Sequence, residues 1–152
     1  MASSIPTSSS SSRLIIPALG KLYDGLHDIS FALLRVMAGV ALAIHGWPKI
    51  QDPMKLVGMV ESLGFAPGPL WAVLLAATEF IGGILLALGL LTRPAALATT
   101  IVLLVTVYFH WIVKSQGYDG AEKSLLWAAM TFLILVRGAG AHSIDRLLKK
   151  VF

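Results

Sequence analysis

The chain has no cysteine. Disulfides, thiolate metal sites, iron–sulfur clusters and a dithiol relay carried by this chain alone are therefore excluded. Any electrons handled here must travel on a bound cofactor or on a partner subunit. Charge is also scarce, at 13% of the 152 residues, against about 25% for a soluble domain. The same chain is 57% hydrophobic with a mean hydropathy of +0.81, which places it in the membrane class. The formal net charge is +4, but the basic residues stand singly between apolar runs. They form no basic face interleaved with aromatics, so a nucleic-acid partner is excluded. Phosphate-binding loops, HExxH, GxSxG and paired-carboxylate motifs are missing as well, which leaves no autonomous catalytic motif.

What is present is a set of long apolar runs. The run over 70–91, LWAVLLAATEFIGGILLALGLL, holds one acid, Glu79, at its middle. As a helix it rises about 33 Å, enough to cross a hydrocarbon core of about 30 Å. Three further spans are expected over 29–47, 95–113 and 121–137. The first has Asp28 or Ser30 as N-cap and Pro48 as its stop. Ala41-Leu42-Ala43 resembles a signal-peptide cleavage site, but the leading region is too long and nearly neutral, and Arg35 interrupts the apolar core, so this span is read as uncleaved. Residues 49–64 are too polar to span and carry apolar residues at helical spacing, as a short interfacial helix does. Thr92-Arg93-Pro94 reads as a tight turn between antiparallel neighbours.

The expected architecture is thus all-α: an integral membrane four-helix bundle over 29–142. A disordered or irregular segment, 1–28, precedes it, and a basic amphipathic tail, 143–152, follows. Arg13, Lys21, Arg93, Arg137, Arg146, Lys149 and Lys150 collect on one side. Lys49, Lys55, Lys114 and Lys123 fall on the other, so the positive-inside bias places both termini of this multi-pass protein on the cytoplasmic side of the inner or plasma membrane. Trp71, Trp111 and Trp127 sit near span ends, as an aromatic belt requires.

A charge at membrane depth is costly, by at least ~2.5 kcal/mol on insertion scales, and so needs a partner or a role. Counting helix rise back from His45 and from Leu70 puts Arg35 and Glu79 at nearly the same depth, which predicts an Arg35–Glu79 ion pair. Gly39 and Gly46 on the first span, and Gly82 and Gly83 on the second, are expected to let these two helices approach closely. His45, Lys49, His110 and Glu122 are expected to line a polar mouth at the non-cytoplasmic interface. Two histidines at one height also suit a bis-histidine haem, the weaker reading because no second pair is present. No metal site is expected.

The runs LRVMAG over 34–39 and HGWPK over 45–49 resemble the first-span motif of the DoxX family. EFIGGILLALGLLTRPAA over 79–96 resembles its second-span motif. GAGAHSID over 138–145 resembles its closing motif, with Ala139 where proline is usual. The resemblance implies a small four-span membrane protein. Better-studied relatives are subunits of a thiosulfate:quinone oxidoreductase or membrane partners in thiol-oxidative-stress complexes. It implies an accessory subunit of a membrane oxidoreductase that meets a quinone or a sulfur compound, with Arg35, Lys49 and His45 polarising carbonyls and Glu79 or His110 carrying protons. Quinone is the one cofactor this suggests. Beyond the lipid bilayer, the partner expected is a second membrane or soluble oxidoreductase subunit, and the reading leaves room for a homo-oligomer. The alternatives are a non-catalytic anchor that recruits a soluble redox or stress-response enzyme, and a small transporter or proton-conducting module.

Overall fold

A computed structural model of the chain describes residues 15–16 and 19–148; the serine tract 1–13 and residues 149–152 lie outside the described residues. Among the described residues the regular structure is all helical, with no strand. In chain order it comprises α1 (Gly20–Gln51), a 3-10 turn (Pro53–Leu56), α2 (Val57–Ser62), α3 (Gly68–Leu88), α4 (Thr92–Tyr108) continued by a π-helical turn (Phe109–Val113), α5 (Gly117–Arg137) and the single turn α6 (Ile144–Leu147). Three helices, Gly20–Gln51, Gly68–Leu88 and Thr92–Val113, are long and apolar enough to cross a membrane. The protein is therefore a membrane protein. Helix α5 is as long as α3, at 21 residues, but carries Asp119, Glu122 and Lys123 in its first two turns and Arg137 at its end.

Helix α1 is longer at both ends than expected. Neither Asp28 nor Ser30 caps it; the helix starts from Leu19, and the Ser30 hydroxyl donates to the His27 carbonyl at 2.9 Å. Residues 20–28 are helical and not irregular. Pro48 lies inside the helix and does not end it. A proline forfeits one intrahelical bond and crowds the carbonyl four residues back; here it falls within a turn of the C-terminus, where little of the helix lies beyond it. The extension matters because it carries Lys49 on the helix.

Helix α3 opens with Pro69 in its first turn, where the missing N–H is no loss. It closes at Gly89, whose φ of 68° is left-handed, with the Leu90 amide bonded to the Leu85 carbonyl at 2.9 Å. This Schellman-type closure ends the helix three residues earlier than the apolar run suggests. The tight turn consequently falls at Gly89–Leu91, and Thr92, Arg93 and Pro94 form the first turn of α4. Helix α5 likewise begins four residues before the expected span, with Asp119 in its first turn and Arg137 in its last to complement the helix dipole.

Helix α1 packs along α3, α3 against α4, α4 along α5, and α5 back on α1, while the 3-10 turn and α2 lie on α3. The α1–α3 contact is backbone to backbone. A Cβ on Gly46 would fall 2.6 Å from the Phe80 amide nitrogen, one on Gly83 2.6 Å from that of Ala43, and one on Gly39 2.5 Å from the Gly83 carbonyl. Gly82 points elsewhere, toward the Thr99 methyl of α4 at 2.9 Å. The core holds Phe31, Ala38, Leu42, Leu86, Ala96, Leu103, Ala128 and Ile134. One polar bridge crosses it, Thr100 to Thr131 at 2.8 Å.

Candidate functional site

The glycine contacts fix the register of α1 on α3, and the register decides which charges meet. Gly46 lies against Glu79 and Phe80, and Gly39 against Gly83 and Ala87. Lys49, one turn beyond Gly46, therefore reaches Glu79, with Nζ at 2.7 Å from Oε1 and 2.6 Å from Oε2. The expected Arg35–Glu79 pair does not form. Arg35 lies eleven residues from Gly46, about 16 Å of helix toward the opposite end, beside Gly89. The depth count failed because His45 and Leu70 are not at one height: α1 runs on to Gln51, and the first turns of α3 lie beyond the level of His45.

The Lys49–Glu79 pair is enclosed. Glu79 is 2% exposed, and both of its carboxyl oxygens lie within hydrogen-bonding distance of Lys49 Nζ, so its buried polar atoms are met by one partner. Lys49 also borders a polar cavity of about 470 Å³, walled by His45, Lys49, Thr106, His110, Asp119, Lys123 and Ser124 together with apolar residues of α2, α3 and α4. His45, Lys49 and His110 meet here as expected. Glu122 does not; on α5 the cavity is bordered instead by Asp119, Gly120, Lys123 and Ser124, of which Asp119 and Lys123 stay exposed at its rim. Asp119 and Lys123 were recoverable from their i, i+4 spacing, which height alone does not distinguish.

Two local features shape this cavity. The π turn closes with the Lys114 amide on the Phe109 carbonyl at 2.8 Å. It inserts one residue into α4 where His110 enters the cavity, a kind of distortion that recurs at functional sites. His110 Nδ1 then sits 2.7 Å from Gln116 Oε1, while the His45 ring packs edge-on against Trp127 with centroids 5.5 Å apart. An apolar groove of about 290 Å³ adjoins the cavity, bounded by Val60, Phe65, Trp71, Thr78, Ile101 and Val102. Leu63, Leu75 and Val105 line both spaces. Together they offer titratable and cationic groups at one end and a hydrocarbon wall at the other.

At the opposite end the terminal nitrogens of Arg35 and both oxygens of Asp145 serve the structure, while the buried Arg35 Nε has no hydrogen-bond partner among the described residues. Arg35, 2% exposed, donates to the carbonyls of Ala139 and, at 2.5 Å, His142. Asp145 accepts from the Leu91 amide at 2.8 Å and from the Thr92 amide and hydroxyl at 2.9 and 2.8 Å. Helix α4 has no side-chain cap of its own at Leu91, so Asp145 supplies one from 53 residues away. The Asp145 amide returns a bond to the Gly89 carbonyl at 2.9 Å. Burial alone would raise the Asp145 pKa; the Thr92 and Leu91 hydrogen bonds and the Arg35 charge outweigh it and hold the carboxyl below its usual range. Of the expected surface tail 143–152, Ser143 and Asp145 are buried, Arg146, Leu147 and Leu148 are exposed, and 149–152 lie outside the described residues. Arg137 stacks 4.3 Å from the Phe31 ring centroid and contacts His27 Nε2 at 3.1 Å. The sequence singled out the segments around Arg35, Gly89–Thr92 and 138–145 separately; the fold brings all three to one locus.

A small helical membrane protein, with a cavity bordered by charged side chains at one end and a tied-down closing segment at the other, is the class these observations define. The DoxX family model matches residues 30–111, more than half of the chain, which belongs to the DoxX family. It is 31% identical over 127 residues to the inner membrane protein YqjF of Escherichia coli, covering 82% of this chain and 96% of that one. It is 32% identical over 118 residues, 78% and 86% of the two chains, to a Bacillus subtilis protein named "Putative oxidoreductase CatD". With the Escherichia coli inner membrane protein YphA it shares 27% identity over 133 residues, covering 82% and 94%. No solved structure matches the chain.

Proposed function

We propose that the chain is the membrane subunit of an oxidoreductase and holds a quinone-type or sulfur-containing substrate in the cavity bordered by Lys49. The observation that carries this reading is the Lys49–Glu79 ion pair, with Glu79 buried and Lys49 bordering a cavity that shares Leu63, Leu75 and Val105 with an adjoining apolar groove. An amphiphile with a hydrogen-bonding head and a hydrocarbon tail matches that pairing of surfaces. Lys49 and His45 would polarise a carbonyl, and Glu79 or His110 would carry its proton. Arg35 has no part in this chemistry, since its guanidinium serves the closing segment. The redox assignment also draws on the relative named as an oxidoreductase.

In this reading α5 is the fourth span, giving a four-helix bundle with both termini cytoplasmic and the cavity on the outer side. Its 21 residues rise about 31 Å, and its interior Thr131 bonds to α4. The backbone contacts at Gly39 and Gly83 close the α1–α3 seam beyond the cavity, which favours a binding site over a conducting path. The test is titration of purified protein in lipid nanodiscs with a fluorescent quinone analogue and, separately, with thiosulfate. Saturable binding of one of them, weakened at least about tenfold in Glu79→Gln, is expected. Absence of saturable binding by either, or equal binding by the variant, refutes the proposal.

A further inference from the structure

Two groups, Glu79 and His110, are available to carry a ligand's proton in the reading above, and the fold treats them differently. Both Glu79 oxygens are taken by the Lys49 ammonium. His110 is held from the far side of its ring by Gln116. After the π turn the chain passes Ser115 and Gly117, whose φ values of 53° and 64° are left-handed, a conformation that serine seldom adopts. It doubles back there, so that the Gln116 amide donates to the His110 carbonyl at 3.0 Å. The Gln116 side chain then meets the same residue a second time, with Oε1 2.7 Å from His110 Nδ1. Gln116 is the N-cap residue of α5, yet its side chain does not cap that helix; it is given to His110 instead. Gly120, one turn into α5, leaves the room for this: a Cβ there would fall on the Gln116 Cβ and 2.7 Å from its Oε1.

An amide oxygen has no proton to give. The proton of the neutral imidazole therefore sits on Nδ1, which donates to Gln116, and the nitrogen left for the cavity that His110 borders is Nε2, an acceptor. Lys49 and Lys123, at the same cavity, can only donate, and Asp119 is exposed at the rim. A carbonyl oxygen has nothing to offer Nε2. A hydroxyl can donate to Nε2, and a second hydroxyl oxygen on the same head can accept the Lys49 proton that Glu79 does not use. We propose that Gln116 is a positioning residue: it fixes the His110 proton on Nδ1, and the cavity consequently prefers the hydroxylated, reduced head of a quinone-type ligand to its carbonyl form. The preference rests on the ligand reading above, whereas the position of the proton does not.

The proton is located first, with no ligand present. Full-length protein in lipid nanodiscs, with isotope-labelled histidine ring nitrogens, is studied by NMR at about pH 8, where an ordinary histidine is neutral. A His110→Gln variant identifies the His110 signals. A protonated Nδ1 and a bare Nε2 are expected; Gln116→Leu loses this preference, and Gln116→Glu, which still presents an acceptor, keeps it. Binding is then measured without oxygen for a short-chain benzoquinone and for the same molecule reduced to the hydroquinone. The native protein and Gln116→Glu are expected to bind the hydroquinone about tenfold more tightly than the quinone, and Gln116→Leu to bind the two alike. A proton on Nε2, or unchanged His110 signals in Gln116→Leu, overturns the proposal whatever binds. Equal binding of both forms by the native protein overturns the preference while the cavity remains a ligand site. Binding of neither form overturns the ligand reading and the preference with it.

Discussion

Replacing Asp145 by asparagine tests whether the closing segment is a structural lock on the α3–α4 turn. The side chain is 6% exposed and takes three hydrogen bonds, one on Oδ1 and two on Oδ2. Asparagine keeps one oxygen, so its amino group must face either the Leu91 or the Thr92 amide, donor against donor. Loss of an N-cap acceptor costs ~1 kcal/mol. Loss of the carboxylate at a helix N-terminus adds about 0.3–1 kcal/mol, more when partly buried. An unmet buried donor adds a further ~1–3 kcal/mol. Arg35 keeps its two carbonyl partners and moderates the loss, so about 2–3 kcal/mol is expected, or roughly 5–10 °C in Tm for a chain of this size. Intrinsic fluorescence of the four tryptophans during thermal unfolding in detergent measures it. The pH dependence is a second, independent signature. Folding lowers the Asp145 pKa, so its contribution is complete above the unfolded carboxylate value of ~3.9 and is lost as pH falls through the lower folded value. The gap between wild type and Asp145→Asn should stay constant down to about pH 5 and close below about pH 4. A variant unfolding within about 1 °C of wild type, or a gap that persists unchanged to about pH 3, refutes the assignment.

The Lys49–Glu79 pair should behave as a coupled unit: Lys49→Met alone, which strands a buried carboxylate, costs about 3–5 kcal/mol, whereas Lys49→Met with Glu79→Leu recovers most of it. A double-mutant cycle on unfolding temperature reads the coupling, and simple additivity argues against it. Gly83→Ala should destabilise by about 1–3 kcal/mol because its Cβ meets the α1 backbone. Gly25→Ala, with nothing within 4 Å of its Cβ, should stabilise by up to ~1 kcal/mol, and opposite signs in the same melting assay are the expected pattern. Thr131→Val removes the bridge to Thr100 and should cost about 0.6–2 kcal/mol; an unchanged melt would mean that the bond contributes nothing net.

The helices were legible in the sequence because long apolar runs and their Gly and Pro punctuation are local signals. Their ends were less so. Gly89, reading as one more small residue in an apolar run, stops α3 through a left-handed φ that composition does not reveal. The cavity residues His45, Lys49 and His110 were found from helix spacing and height, and they do converge. The partner of Glu79 was missed because pairing depends on the register of α1 on α3, which is set by which glycines meet which backbone atoms. A shift of about four turns exchanges Arg35 for Lys49, and nothing in either sequence run fixes that shift alone. The α-helical stripe of Gly39 and Gly46 carried the right information; matched against Gly83 instead of the acid, it points to Lys49. The burial of Asp145 had no local signal, since an acid in a basic amphipathic stretch reads as solvated.

The cap that Asp145 lends to α4 also constrains the order in which this molecule can be completed. The Leu91 and Thr92 amides, the Gly89 carbonyl and the Arg35 guanidinium are all synthesised before residue 139, and each finds its described partner only in segment 139–145. While the ribosome is still making α5, the α3–α4 hairpin must rest at the membrane with these groups met by water or lipid headgroups, not by protein. At about 5–20 residues per second the wait from Thr92 to Asp145 lasts about 3–10 s. Closure is therefore a late event, and it reports that α5 has already docked, because the same segment hangs from its C-terminus. A nascent chain stopped short of residue 145 would present an uncapped hairpin, a form that membrane quality control could distinguish from the finished protein.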